Sequence, residues 1–201
     1  STLPDWAAAV MLILASASPR RRELLRMLVP AFECEAAGID EAIVPNELPA
    51  DYVCRMSAEK AARVWAPGSV VLGADTTVVC HGRVMHKPDS FADAEGMLRS
   101  LSGLTHEVMT SVTVMSDVAA TTELISTRVE FAELSSELIA QYLSTDEPWD
   151  KAGAYGIQGL AGRFVKRLEG SYSGVVGLPL TETRTLLEEA GIATRLGDPR
   201  V

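Results

Sequence analysis

The stretch that most restricts this chain is residues 70–80, V-V-L-G-A-D-T-T-V-V-C. It is almost unbroken in β-branched and apolar residues, which predicts a central strand buried on both faces. Two of its residues sit badly in such a strand. Gly73 weakens it unless a bulge or a close backbone approach needs the missing side chain. Asp75 puts a carboxylate in an apolar run, at a cost on the order of a few kcal/mol if unpaired. It must meet a cation, a metal ion or hydrogen-bond donors. A structural ion pair with an arginine would satisfy it. So would a functional role, since perturbed carboxylates cluster at sites.

A second conflict lies upstream. The apolar run 10–14 stops at small hydroxyl residues, and a helical pattern of Leu24, Leu25 and Leu28 begins at Pro19. Ser18 reads as the N-cap and Pro19 as the first helical residue. The order is strand, tight turn, helix. Arg20, Arg21 and Arg22 then fall in the first turn, where the helix dipole disfavours each exposed cation by about 0.3–1 kcal/mol. Glu23 offsets part of this. An anion over the turn, held by free amides, the Ser16 and Ser18 hydroxyls and guanidinium forks, removes the conflict. A solvated basic helix face, its arginines paired elsewhere, accounts for the same residues.

The surrounding chain is acidic. Eighteen Lys and Arg against 27 Asp and Glu give a net charge of −9. That argues against a broad nucleic-acid surface, yet leaves room for a small anionic ligand in a local basic pocket. With 201 residues, the chain can form one large or two-lobed domain. We expect a single domain over 1–201, with a peripheral leader at 1–10 and a peripheral tail at 196–201. Cys34, Cys54 and Cys80 lie far apart and form neither a disulfide framework nor a zinc motif, which fits a reducing cytoplasm. His81, His86 and His106 are too scattered for a metal cluster, and a strand continuing through Cys80-His81 would point the two to opposite faces. Residues 6–14 followed by Ala15-Ser16-Ala17 imitate a signal peptide, but no Lys or Arg precedes them and Asp5 does. No run approaches the roughly 18 apolar residues of a membrane span.

Along the chain, patterning predicts a short strand at 32–35, an acidic loop at 38–49, a helix at 51–65 carrying Lys60, and a turn at 81–83 before a short strand. A helix capped by Asp89 or Ser90 follows, then a long antiparallel pair at 107–115 and 123–131. A helix at 135–143, a strand at 164–168, a loop at 171–179 and a last helix at 180–190 complete the order. Between 150 and 162, Gly153, Gly156 and Gly159 recur every third residue. Such density fits backbone pressed against a ligand or another segment, and equally a flexible loop. Lys151 is placed to meet phosphate, and Gln158 can donate to and accept from a base edge. Lys60 and Lys87 are candidate partners of Asp75, Lys87 being held extended by Pro88. Glu41 is one acid in an acidic loop.

Six ordered segments resemble the Maf proteins, house-cleaning nucleotide pyrophosphatases. They are L-A-S-A-S-P-R-R-R-E-L-L from Leu14, G-A-D-T from Gly73, H-K-P from His86, M-L-R-S-L-S-G-L-T-H from Met97, E-P-W-D-K-A-G-A-Y-G-I-Q-G from Glu147, and G-S-Y-S-G-V-V-G-L-P-L from Gly170. The resemblance spans about 11–190. It implies a two-lobed α/β fold of the Maf/ITPase-like kind, an elongated, twisted mixed sheet flanked by helices with a central cleft. It implies hydrolysis of a nucleoside triphosphate between the α and β phosphates with a divalent metal, magnesium or manganese, and a homodimer. By position, Asp75 takes the catalytic acid/base place, as base or metal ligand. Lys60, Lys87 and Glu41 match polar site residues, Glu41 being the other metal candidate. Ser18, Arg20 and Arg21 match the phosphate turn. Arg20, Thr76 and Gln158 resemble the branch that hydrolyses dTTP and UTP rather than 7-methyl-GTP. A non-enzymatic role in cell division is the competing reading. Ala161 and Gly174 depart from the pattern, which has glycine and asparagine there.

Overall fold

The computed structural model describes residues 10–196; the expected leader before Val10 and the tail after Leu196 lie outside the described residues. Strand β1 (Met11–Leu14) runs parallel to β2 (Glu33–Cys34) on one side and to β3 (Ser69–Cys80) on the other. The second edge of β3 pairs antiparallel with β5 (Thr105–Met115), which pairs with β6 (Ala120–Phe131) and then β7 (Val165–Glu169). Strand β4 (Arg83–Met85) returns antiparallel onto β3. The result is one mixed sheet of seven strands. All but one residue of β3 is buried, as its composition predicts.

The register of β3 creates the site. β1 covers Ser69–Leu72 on one edge, and β4 covers Val78–Cys80 on the same edge. Gly73 to Thr77 lies between them with no strand on that side. Side chains from both faces of β3 therefore reach one opening. The cores divide at the same place. Leu72 and Ala74 pack with Leu14, Leu25 and Leu187, whereas Val78 and Cys80 pack with Leu98, Phe131, Tyr155 and Phe164. This is the two-lobed arrangement that the resemblance implies.

Among the described residues six helices flank the sheet: α1 (Pro19–Leu28), α2 (Pro49–Val64), α3 (Phe91–Leu101), α4 (Ser136–Leu143), α5 (Tyr172–Val176) and α6 (Leu180–Glu189). Ser18 and Ser90 cap α1 and α3 with their hydroxyls. Helix α2 starts at Pro49, two residues before the pattern suggests, because proline fits a first helical position. The turn expected at 81–83 forms: His81 has φ +50 and Gly82 has φ +73, the pair of left-handed residues that a tight hairpin turn needs, so the strand ends at Cys80. Two sequence expectations change. The segment 171–179 is not all loop, since Ser171 caps the short α5. The glycine-rich stretch folds into short 3-10 turns at Pro148–Asp150, Ala152–Ala154 and Leu160–Phe164.

Gly73 explains how α2 meets the sheet. A Cβ there would lie 2.2 Å from the Ser57 carbonyl oxygen and 2.8 Å from the Ala61 nitrogen. The glycine thus admits a close approach of helix backbone, one of the two uses its place in the strand allows. Nearby, the Ser57 hydroxyl lies 2.7 Å from Ser111 Oγ and 2.8 Å from Thr113 Oγ1, so the buried polar atoms at this contact satisfy each other.

Candidate active site

A cleft of about 640 Å³ opens at the uncovered edge of β3. Ser18, Arg20, Arg21, Glu41, Lys60, Asp75, Thr76, Lys87, Lys151 and Gln158 all line it. Residues from six separate parts of the chain therefore converge on one opening. Ser16 lines an adjoining groove that shares Ser18, Arg20, Arg21 and Lys87 with the main cleft. Its hydroxyl oxygen accepts from the Ser18 amide at 3.1 Å, which shapes the turn.

The floor holds the acid. Asp75 is buried, and its Oδ1 accepts from Lys60 Nζ at 2.7 Å. The same ammonium lies 2.8 Å from Glu41 Oε1. Lys60 reaches Asp75 because Gly73 lets α2 settle onto β3. Burial opposes ionisation of Glu41, yet the hydrogen bond and charge of Lys60, with Lys87 and Arg21 behind them, hold its pKa below the usual carboxylate value. The loop carrying Glu41 is pinned to α2: the Tyr52 hydroxyl donates to the Glu41 carbonyl at 3.0 Å, and Arg55 grips Glu47 at 2.6 and 2.8 Å and the Ala42 carbonyl at 2.9 Å. Burial, then the Asp75 charge, push the Tyr52 phenol up to about 12, so it stays a donor. Tyr52 and Arg55 are organising residues that patterning reads only as helix surface and stripe.

The arginines divide the work. Ser18 Oγ accepts from the Arg21 amide and the Ser18 carbonyl from the Arg22 amide, and Pro19 has no N–H, which leaves the Arg20 amide without an intrahelical acceptor. Arg21 turns inward, Nε donating to the Gly177 carbonyl at 2.9 Å and Nη2 to Thr76 Oγ1 at 3.1 Å. Thr110 donates to the Gly174 carbonyl at 2.7 Å, so the Thr76 hydroxyl is left to donate to Thr110 at 2.9 Å. Burial draws the Arg21 pKa below its ordinary value, against the opposing pull of Asp75. Arg20 stays at the mouth, 3.3 Å from Asp150. Arg22 lines neither cleft nor groove. Lys87 is exposed on the cleft wall and, among the described residues, makes no ion pair.

The glycine-rich segment packs on protein, not on open space. A Cβ at Gly153 would meet Val78 at 3.0 Å, at Gly156 the Lys151 chain at 2.7 Å, and at Gly159 the Glu147 carboxylate at 2.2 Å. Lys151 Nζ donates to the Glu147 carbonyl and to Asp150 Oδ1, both at 2.7 Å, and so staples this segment. Asp150 lies between Arg20 and Lys151. Burial opposes its ionisation, but those two cations keep its pKa low. Gln158 is exposed in the cleft lining. Glu147, Asp150, Tyr52 and Thr110 join the candidates here. The first two stand inside the E-P-W-D-K motif, where the sequence signals them without a role. Ala161 is buried and gives its amide to Glu147, and a side chain at Gly174 would press on Ser171 Oγ at 3.0 Å.

Among the described residues no group of three or more His, Cys, Asp and Glu side chains is arranged to hold a metal by itself. Asp75 and Glu41 are nevertheless two oxygen donors facing one cationic position, which suits an ion completing its shell with substrate phosphates and water.

A mixed sheet split into two lobes, with a charged cleft at its open edge where arginines and lysines stand beside a sunken acid, defines a two-lobed α/β class. A HAM1 protein from Coxiella burnetii shares this fold, with a TM-score of 0.50 at 16% identity over 90% of this chain and 99% of that one. The family model for Maf-like protein matches residues 11–190, and the chain belongs to that family. It is 54% identical over 186 residues to the dTTP/UTP pyrophosphatase of Hahella chejuensis, covering 90% of this chain and 92% of that protein. It is 52% identical over 184 residues to the dTTP/UTP pyrophosphatase of Vibrio parahaemolyticus, covering 90% and 97%.

Proposed function

We propose that this chain is a nucleoside triphosphate pyrophosphatase that hydrolyses dTTP and UTP to the monophosphate and pyrophosphate. That relatives at about half identity are dTTP/UTP pyrophosphatases supports the substrate. The observation that carries the chemistry is Asp75, buried at the open edge of β3, tied to Lys60 and facing the arginine turn. A triphosphate brings about four negative charges, so its transition state needs cations more than covalent chemistry. Ser18, Arg20 with its amide, and Arg21 gather phosphate oxygens at one side; Lys60 and Lys87 face the others. Asp75 orients the attacking water and takes its proton, or holds a cation that does the activating.

Asp75 and Glu41 would hold that cation, magnesium or manganese, which when bound neutralises phosphate charge and lowers the pKa of water. Lys60, beside both carboxylates and on the cleft lining, is the ammonium that would share that charge with phosphate. Arg20 and Gln158 read the nucleotide: a neutral amide can pair with the acceptor-donor-acceptor edge of uracil or thymine, whereas a methylated, cationic guanine suits a carboxylate better. Thr76 supports this through Arg21, whose fork it anchors. The enzyme acts as one cytoplasmic domain and as a homodimer. Among the described residues no helix is long and apolar enough to cross a membrane.

The test is pyrophosphate release from a nucleotide panel with magnesium and manganese compared. Asp75→Ala is expected to keep nucleotide binding and lose release by about 10²–10⁴-fold. Release surviving that change overturns the catalytic assignment. Turnover of 7-methyl-GTP at a rate comparable to dTTP overturns the substrate branch.

A further inference from the structure

Residues 160–164 begin a 3-10 turn whose cap position is Gly159, a residue with no side chain to accept from the first amides. The acceptor comes instead from 13 residues upstream. Glu147 Oε2 accepts from the Leu160 amide at 2.7 Å, and Oε1 from the Ala161 amide at 3.1 Å. The Tyr142 hydroxyl donates to the same Oε1 at 3.0 Å. The glycine at 159 is what lets the carboxylate in, since a Cβ would stand 2.2 Å from Oε2. Burial and the Glu147 charge raise the Tyr142 pKa, so the phenol remains a donor. The backbone of residue 147 is itself fixed, its carbonyl accepting from Lys151 Nζ at 2.7 Å. Gln158, on the exposed cleft wall, directly precedes this capped glycine.

We propose that Glu147 is a positioning residue for base recognition: its carboxylate caps the 160–164 turn from a distance and so fixes where the Gln158 amide meets the nucleobase. This rests on the pyrimidine reading above. Glu147 does not itself read the base, because its two oxygens already accept three hydrogen bonds from protein. An N-cap supplied by a glycine's own backbone would leave these amides to water and the turn free to shift. A shift of about 1 Å in a reading group is enough for large losses in turnover.

The experiment compares kcat/KM for UTP and CTP, whose base edges differ where an amide would read them. In Glu147→Gln one acceptor oxygen becomes an NH₂ that faces donors. The UTP-over-CTP ratio is expected to fall by about ten- to a hundredfold. Gln158→Ala is expected to lower the ratio similarly, and the double variant to lower it no further than Gln158→Ala alone, since the two act through one contact. A loss of stability alone would lower both substrates together and leave the ratio unchanged. Gly159→Ala supplies a second route: it displaces the carboxylate while keeping Glu147, and the same fall in ratio is expected. If both Glu147→Gln and Gly159→Ala keep the wild-type ratio, or if the double variant shows additive losses, the proposal is overturned. It is equally overturned if Gln158→Ala leaves the ratio untouched. Failure of the wild-type protein to release pyrophosphate from UTP would instead sink the functional reading beneath it.

Discussion

Lys60 is the counterion that lets Asp75 occupy a buried strand. Both side chains are largely enclosed, at 13% and 12% exposure, so their attraction is less screened than that of a surface pair. Lys60→Met should therefore destabilise the protein by about 3 kcal/mol in denaturant unfolding, and adding Asp75→Asn should restore much of the loss, because the orphaned charge is then gone. His106 offers a second residue-scale test. It is buried with Nε2 2.7 Å from the Tyr155 hydroxyl, and burial holds its pKa down to about 4 from an ordinary 6.5. The unfolded chain takes this proton below about 6.5, while the folded chain refuses it until about 4. Between those values the unfolded state binds more protons, so stability falls as pH falls. His106→Gln should remove a slope of about 1.4 kcal/mol per pH unit from that window, measured by unfolding at several pH values. The residue chemistry of Asp75 was legible because a carboxylate in an apolar run has few solutions. Which cation solves it was not: the sequence offers arginines and lysines alike, and only packing puts Lys60 within reach.

At the scale of elements, the contact between α2 and β3 decides whether those residues meet. Gly73→Ala inserts a methyl where the Ser57 carbonyl and the Ala61 amide already stand. Helix backbone cannot step aside as a flexible side chain can. We expect a loss of about 1–3 kcal/mol in stability and a larger fractional loss of pyrophosphate release, since lifting α2 also lifts Lys60 off Asp75. Thermal unfolding and a release assay on the same preparation separate the two effects. Element positions follow local pattern closely here, from the Ser18 cap with Pro19 behind it to the long β5–β6 pair. The misread pieces are those where local signals compete. The 171–179 segment reads as loop because Gly174, Gly177 and Pro179 interrupt it, yet Ser171 caps a short helix there. The glycines at 153, 156 and 159 allowed ligand or protein contact, and nothing local distinguishes a backbone pressed on a base from one pressed on Val78, Lys151 and Glu147.

Across the whole molecule, a chain of net charge −9 gathers a patch of cations, Arg20, Arg21, Lys60, Lys87 and Lys151, along one cleft. Asp150 moderates it, lying within ion-pair distance of both Arg20 and Lys151 across a sequence separation of 130 residues from the former. Asp150→Asn is expected to tighten pyrophosphate binding at low ionic strength, with the gain shrinking as salt rises toward about 1 M, where the screening length is near 3 Å. Titration calorimetry at three salt concentrations checks this; unchanged affinity at low salt would show the two cations to be positioned for something other than phosphate.

The strand-turn-helix at the front, the buried acid, the order of elements and the family pattern belong to the sequence by itself, because each follows from short-range periodicity, capping chemistry or an unbalanced charge. The opening between β1 and β4, the choice of Lys60 for Asp75, the inward turn of Arg21 onto Thr76 and Gly177, and the remote cap from Glu147 were decided only in three dimensions. Their partners lie between 13 and 156 residues apart in the chain. No local rule relates such distant residues; strand register and the close approach that one glycine permits do.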